Sequence, residues 1–379
     1  MRFRVERDVL AEAVAWAARS LPARPPVPVL AGLMLSADTD AAGRLVLSSF
    51  DYEVSARVEI TADVTEPGVV LVSGRLLADI TRSLPARPVE VATDGAKVVV
   101  TCGSSRFTLL TLPVEDYPTL PEMPGASGSL RGDLFAAAVG QVSIAAGRDD
   151  TLPVLTGVRL EIEAEKITMA ATDRYRLAVR DLAWTPEQAG LSAIALVPAR
   201  TLADTAKSLA SADKVTVALA SGGTGEGLVG FEGSGRRTTS RLLDGEFPKY
   251  KSLLPAESAS VATVETAGLV ESVRRVALVA ERNTPIRLSF SGGEVTLEAG
   301  SGDEAQASES LDAGRAGDDI SIAFNPAYLL DGLGVLDAAY AELRFTASTR
   351  PAVIAAKDSM DATAGDDYRY LLMPVRLSG

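Results

Sequence analysis

Pro28-Val29-Leu30-Ala31-Gly32-Leu33-Met34-Leu35 and Pro153-Val154-Leu155-Thr156-Gly157-Val158-Arg159-Leu160 are two versions of one pattern, with Gly32 and Gly157 standing 125 residues apart. A third version is Pro285-Ile286-Arg287-Leu288-Ser289-Phe290. A motif that recurs at a fixed long period is the mark of a repeated structural unit. Upstream of each copy lies an amphipathic helix. Residues 6–20 carry Leu10, Val14 and Ala17 on one face, with Leu21 next on the same stripe, residues 132–146 open with Asp133-Leu134-Phe135-Ala136 as an echo of Asp8-Val9-Leu10-Ala11, and residues 267–281 carry Leu269, Val273, Val276 and Ala280. This 3-to-4 spacing gives a helix one apolar stripe. Downstream, alternating strand pairs surround a polar turn at Phe50-Asp51-Tyr52, Thr172-Asp173-Arg174 and Ser301-Gly302-Asp303. Such alternation suits half-buried antiparallel strands.

A second helix follows in every unit. Ser73-Gly74-Arg75-Leu76-Leu77-Ala78-Asp79-Ile80 matches Pro198-Ala199-Arg200-Thr201-Leu202-Ala203-Asp204-Thr205, and Asn325-Pro326-Ala327-Tyr328-Leu329-Leu330-Asp331-Gly332 is the third form. Ser73 and Asn325 suit N-caps. Pro-rich exits at Glu115-Asp116-Tyr117-Pro118 and Gly245-Glu246-Phe247-Pro248 suit linkers. The expected architecture is therefore α+β, with three repeated domains at 1–125, 126–255 and 256–379 and helices on one face of the sheets.

With 47% apolar and 23% charged residues, the 379-residue chain has ample material for several cores. No apolar run approaches the roughly 20 residues that span a bilayer, and the start MRFRVERDVL lacks the apolar heart of a signal peptide, so a cytoplasmic location is expected. The lone Cys102 sits in a strand-like run and reads as a buried, inert thiol. The chain contains no histidine, which removes Ser-His-Asp and Cys-His nucleophiles, histidine metal sites and the commonest general base. No catalytic centre, metal or cofactor is expected. The glycine-rich run Ser221-Gly222-Gly223-Thr224-Gly225-Glu226-Gly227 lacks a following Gly-Lys-Ser/Thr and reads as a hairpin loop, not a nucleotide cradle.

Net charge is −13, which argues against bulk attraction to phosphate; contact with a polyanion has to be local or topological. Basic residues nonetheless recur in register. Arg75 and Arg82, Arg200 and Lys207, and Arg275 and Arg282 are each seven apart, about two helical turns, so each pair projects from one helix face. Arg24 and Arg148 add charge in the loops after the first helices.

Taken with the repeat, several strings make the chain similar, over essentially its whole length, to the bacterial DNA polymerase III beta subunits, the sliding clamps. They are Thr172-Asp173-Arg174-Tyr175-Arg176-Leu177-Ala178-Val179, Phe247-Pro248-Lys249-Tyr250 and the terminal Tyr370-Leu371-Leu372-Met373-Pro374-Val375-Arg376-Leu377. The resemblance implies a head-to-tail homodimer closing a six-domain ring around duplex DNA, helices inside and sheets outside. It implies no catalysis, and as partners the replicative polymerase, the clamp loader and other replication and repair proteins. The same resemblance assigns a partner-peptide pocket to Leu155, Thr172, Arg174, Tyr175, Arg176, Leu177, Pro248, Leu253, Tyr328, Leu371, Met373, Pro374, Val375 and Arg376. Many members of the family carry Gly and His where this chain has Arg174 and Tyr175, which makes the rim larger and more cationic. For ring closure it implies Arg106, Phe107 and Leu109 on the first domain facing Leu278, Val279, Asp303, Glu304 and Glu309 on the third. A specialised second clamp copy, tolerant of a clamp-binding inhibitor, is the alternative within the same fold.

Overall fold

The computed structural model describes residues 1–39, 43–219, 227–280, 284–300 and 305–376. Six α-helices run through them, α1 Arg7–Ala17, α2 Gly74–Ser83, α3 Gly132–Ser143, α4 Ala199–Ser208, α5 Thr266–Val276 and α6 Pro326–Gly334. The order strand, helix, five strands, helix, three strands occurs three times. Each of the six helices expected from periodicity is present. The first helices of the outer repeats end earlier than their apolar stripe suggests, passing into 3-10 turns at Ala18–Ser20 and Ala277–Val279.

By contact density the chain divides into two units, and the division passes through the middle repeat. The first comprises residues 1–135, 185–188 and 204–242. It is organised on one antiparallel sheet of 14 strands in the spatial order Thr185–Pro186, Ala126–Leu130, Val215–Leu219, Leu228–Gly233, Arg236–Arg241, Val54–Thr61, Arg44–Phe50, Gly32–Asp38, Gly68–Ser73, Ser105–Leu112, Lys97–Cys102, Val89–Asp94, Arg2–Val5 and Asp63–Glu66. Strands of the first and middle repeats join where Arg236–Arg241 pairs with Val54–Thr61, Thr238 opposite Ala56. Phe3, Leu10, Val14, Leu33, Leu47, Val72 and Val100 form its core, and α1 lies on that core with α2 beside it. Cys102 is buried there, its Sγ 3.4 Å from the carbonyl oxygens of Pro85 and Arg87. Residues 221–226 of the glycine-rich run lie outside the described residues; the strands on either side of it pair antiparallel, Val217 opposite Phe231.

The second unit comprises residues 136–184, 189–203 and 243–379. Its nine-stranded sheet runs Ser192–Pro198, Gly157–Glu163, Lys166–Thr172, Arg176–Ala183, Tyr368–Leu372, Ala352–Lys357, Tyr340–Phe345, Ser260–Glu265 and Gly314–Gly317. A second sheet has the order Ala307–Asp312, Glu294–Ala299, Ile286–Ser291 and Ile320–Phe324. Here the middle and last repeats are stitched by Arg176–Ala183 against Tyr368–Leu372, with Leu177 opposite Leu371. Among the described residues no helix is long and apolar enough to cross a membrane.

The repeated glycine has a steric cause. A Cβ on Gly32 would stand 2.6 Å from Leu71 Cδ1, and one on Gly157 2.8 Å from Leu196 Cδ1, so in the first two repeats the corresponding leucine covers the start of the strand. Helix caps differ. Asn325 caps α6, its Oδ1 accepting from the amides of Ala327 (2.9 Å) and Tyr328 (3.3 Å), whereas Ser73 makes no capping bond with its side chain and α2 starts without one.

Gly332 in α6 lies under the ring of Tyr370, which is fully buried and donates its hydroxyl to Tyr328 O at 2.8 Å. A Cβ at 332 would meet the ring at 2.3 Å, and neither helix nor ring has room to yield. Gly332→Ala is expected to cost about 1–3 kcal/mol through overpacking, outweighing alanine's better helix propensity. Chemical denaturation followed by circular dichroism measures it; an unchanged midpoint would refute this packing.

Candidate protein-binding site

In the second unit a cavity of about 500 Å³ opens between the loop at residues 146–155, the turn at Asp173-Arg174-Tyr175-Arg176 and the first turns of α6. Leu155, Arg174, Tyr175, Arg176 and Tyr328, all expected in a pocket, line it. Gly147, Arg148, Asp149, Leu152, Asp173, Ala327 and Asp331 line it too. Arg148, expected to face DNA, stands in this wall.

The turn is built by Asp173, whose Oδ1 accepts from the amides of Tyr175 (3.0 Å) and Arg176 (3.1 Å). Asp side chains favour such turns because they satisfy the following backbone amides. The turn forces Arg174 to a φ of 79°, the left-handed region that costs a side-chain-bearing residue about 1 kcal/mol. Thr172 is buried beneath it, donating its hydroxyl to Arg176 O at 2.6 Å and accepting from the Arg174 amide.

Arg176 is the buried cation of the site, its side chain only 4% exposed. Its Nε donates to Asp173 Oδ2 at 3.0 Å, its Nη1 to Asp331 Oδ2 at 2.5 Å, and its guanidinium stacks 4.3 Å from the centre of the Tyr328 ring. Burial alone would lower its pKa; the bond to Asp331 and the nearby Tyr370 and Asp173 outweigh that and raise it, so it stays charged. Tyr175, 54% exposed, stacks on Tyr328 with ring centroids 6.2 Å apart. The floor is thus a layered plate of Arg176, Tyr328 and Tyr175. Motif reading misses Asp331, although it is the third form of the aspartate repeated as Asp79 and Asp204.

Other expected pocket residues take neighbouring places. Leu177 and Leu371 lie in the core with Phe247, Tyr250 and Val353 and offer no surface. The terminal segment is tied down at both ends: the Met373 amide donates to Tyr175 O (2.9 Å) and that of Val375 to Ala323 O (2.8 Å). Met373, Val375 and Arg376 are exposed, Pro374 is half-buried, and Pro248 and Leu253 stand exposed on the linker; none of these lines the cavity itself. The linker is fixed by Glu161, which binds Arg159 Nε at 2.6 Å and Lys251 Nζ at 2.7 Å while almost wholly buried.

The basic residues divide. Arg24, Arg75, Arg82, Arg200 and Lys207 are exposed, the last four on α2 and α4 as their spacing requires. Arg75 donates to Pro22 O at 3.0 Å and Arg82 lies 3.7 Å from Asp79. Arg275 and Glu309, expected on different surfaces, instead bind each other at 2.5 Å, so Glu309 is not a free carboxylate for Arg106. Arg282, Asp303 and Glu304 lie outside the described residues, and α5, which carries Arg275, ends at Val276. Leu109 is buried at 3% exposure in the core of the first unit; the strand's period of two puts Leu110, 72% exposed, outside in its place. Arg106 and Phe107 are exposed, Val279 is half-buried and Leu278 is 84% exposed.

Comparison with known proteins sets this geometry in a family. Three models match in succession, the DNA polymerase III beta subunit N-terminal domain on residues 1–121, its central domain on 129–249 and its C-terminal domain on 251–376. The chain is 66% identical to the beta sliding clamp of Streptomyces coelicolor over the full length of both, and 50% identical to the beta sliding clamp homolog GriR of Streptomyces muensis over 99% of each. Among solved structures it superposes with a TM-score of 0.91 on a Pseudomonas aeruginosa sliding clamp bound to griselimycin, 29% identical and covered completely on both sides. The chain belongs to the DNA polymerase III beta subunit family, the sliding clamps. Its function is accordingly that of a clamp, a processivity factor in DNA replication.

The Glu161 cluster gives the linker a pH dependence. Burial raises the carboxyl's pKa, but its bonds to Lys251 and Arg159 prevail and leave it below the ordinary 4.5. A depressed carboxylate stabilises the fold above its unfolded value and loses that contribution as pH falls through the folded one. Glu161→Gln is therefore expected to cost about 1–2 kcal/mol at pH 7 and progressively less below pH 4.5. Urea unfolding at pH 7 and pH 4 tests this; a gap independent of pH would contradict it.

Proposed function

We propose that the chain acts without catalysis, as a homodimeric ring that encloses duplex DNA and presents the cavity beside the chain terminus to partner peptides. The observation that carries the peptide reading is the plate of Arg176, Tyr328 and Tyr175, flanked by Leu155 and by a terminal segment whose Met373 amide is pinned to Tyr175 O. A concave site with an aromatic and aliphatic floor and a few fixed polar groups suits an extended peptide carrying apolar anchors and an amide or carboxylate. The replicative polymerase, the clamp loader and other replication and repair proteins would dock through such peptides. Binding that depends on a small site should be modest, near micromolar, about −8 kcal/mol.

Ring closure is supported by two sheet edges. Residues 105–110 pair on one side with Lys97–Cys102, while the bonds to Gly68–Ser73 begin only at Thr111, and Ala307–Asp312 ends the four-stranded sheet. Open edges invite strand pairing with another chain, and a head-to-tail pairing of unlike edges can close a ring. Exposed Leu278 and Leu110 would add apolar area, with Phe107 and Val279 beside them. The domain limits at 125 and 255 are retained as part of this reading. Arg24, Arg75, Arg82, Arg200 and Lys207 would face DNA without reading its sequence, since a protein of net charge −13 gains little from bulk attraction. The reading as a specialised second copy is less favoured, because identity to the Streptomyces coelicolor clamp exceeds that to GriR.

Two measurements test this. Replacing Leu278 by Asp should convert a dimer of roughly 79 kDa into monomers, since an unpaired charge in an apolar contact costs several kcal/mol; a dimer of undiminished strength in sedimentation would count against the interface. Protein loaded on a nicked circle should stay until the circle is linearised, and Met373→Ala should weaken a glutamine-bearing peptide with two terminal apolar residues by about tenfold while the ring persists. Unchanged calorimetric affinity in that variant would sink the pocket assignment.

A further inference from the structure

The strand pair that joins the first and middle repeats sets two arginines directly opposite each other, Arg57 on Val54–Thr61 and Arg237 on Arg236–Arg241. Like charges in that position repel. Arg237 is compensated, because its Nη2 lies 3.0 Å from both carboxylate oxygens of Glu232, the residue opposite it on the next strand. Arg57 is not. It is half-buried, yet it has no ion pair or hydrogen bond among the described residues, where every other arginine or lysine that is not exposed has one. Glu59, on the same face of the strand, lies 4.0 Å from Arg44 instead. On the other side of Arg57 stands Ser48, its ladder partner on Arg44–Phe50. Ser48 is only 7% exposed and its hydroxyl has no partner among the described residues, while the hydroxyls of the next row, Ser55 and Thr239, satisfy each other at 2.6 Å. Residues opposite in a ladder share a face, so Ser48, Arg57 and Arg237 make one row of donors across three strands. That row lies on the side of the sheet away from α1, since Ser49, which points the other way, donates to Ala17 O at 2.7 Å.

We propose that this row is a binding site for a small oxyanion of the phosphate type. A half-buried cation without a counter-charge, beside a buried hydroxyl without an acceptor, lacks one group that would answer both needs. A tetrahedral oxyanion presents oxygens in several directions and takes hydrogen bonds from both guanidiniums and the serine together, which replaces repulsion across the strand pair by charge-assisted contacts. A planar carboxylate fills one guanidinium fork and leaves the remaining donors unmet. A nucleic-acid strand is a poor occupant, because a phosphate chain needs a track of cations and here Glu59 and Glu232 flank the row. Arg57 belongs to the first repeat and Arg237 to the middle one, so the bound anion clamps the two strands that join them, and occupancy stiffens that junction.

The test uses the full chain, freed of phosphate and sulfate, in chloride buffer at neutral pH and constant ionic strength. Inorganic phosphate should raise the melting temperature saturably, with its half-effect near about 1 mM, while acetate at the same concentrations leaves it in place. Arg57→Gln should raise the half-effect concentration about tenfold or more, and Ser48→Ala about threefold. Without phosphate, Arg57→Gln should melt no lower than the parent, because the substitution removes a repulsion and breaks no bond; its lost response is then not a folding defect. Deoxythymidine monophosphate, run in parallel, tells free phosphate from a phosphoryl group carried by a larger molecule, and saturable stabilisation by either supports the site. A parent protein that responds to neither, an equal response to acetate, or an undiminished response in Arg57→Gln overturns the proposal. So does a single-stranded oligonucleotide whose binding depends on Arg57 and tightens with length, which would make the arginine part of a nucleic-acid track.

Discussion

The backbone of a sheet edge has to find partners, and the way this chain pairs the ends of its repeats governs most of its architecture. Arg176–Ala183 would expose one whole edge; the last strand of the chain, Tyr368–Leu372, takes it. Val54–Thr61 is completed in the same manner by Arg236–Arg241. Each pairing ends at an aspartate-built turn. Just beyond the terminal strand Met373 donates to Tyr175 O, and in the first junction Arg241 donates to Glu53 O, both at 2.9 Å. One hydrogen-bond requirement, met twice, thus joins neighbouring repeats through continuous sheet and delivers the residues after the closing strand beside a left-handed turn.

The scaffold is repeated, but the chemistry placed on it is not. Asp51 accepts from the amides of Glu53 and Val54, as Asp173 does from Tyr175 and Arg176. Where the second junction has a buried arginine, the first has Val54, and its Arg241 lies outside, donating Nε to Tyr52 O. A buried cation demands acceptors, and Asp173 and Asp331 answer that demand, which orders the turn and α6 relative to each other within one unit. Such an ion cluster adds little net stability; its physical effect is to fix geometry, because any displacement leaves a charge unpaired.

How much of this is legible in the sequence depends on how local each cause is. Helices and strands are readable because periodicity and the 125-residue echo report burial along a single element, and Gly32 and Gly157 repeat because Leu71 and Leu196 repeat above them. The turn residues are readable through Asp173. What escapes involves partners distant in the chain. Spacing alone puts Arg275 on a helix face but cannot reveal Glu309 across from it, and the seven-residue step to Arg282 assumes a helix that in fact ends at Val276. Leu109 fails for a different reason: motif matching ignores which side of the strand a residue faces, and the inward parity belongs to 109, not 110. Much of the expected pocket mixes wall with foundation, since Leu177 and Leu371 support the site from within the core without touching its cavity.

That separation between wall and foundation has an energetic consequence. Tyr370, Leu371 and Leu372 are almost fully buried, and the next residue, Met373, is 40% exposed; likewise Arg176 and Leu177 are buried directly after exposed Tyr175. Removing a buried anchor of this kind costs a few kcal/mol of folding energy, whereas truncating an exposed neighbour costs little stability. Because the terminal strand is hydrogen-bonded along its whole length, the exposed residues are held in place by backbone bonds that no side-chain change removes. The surface beside the cavity, Arg174 and Tyr175 included, can therefore change in charge and size while the sheet that presents it stays the same.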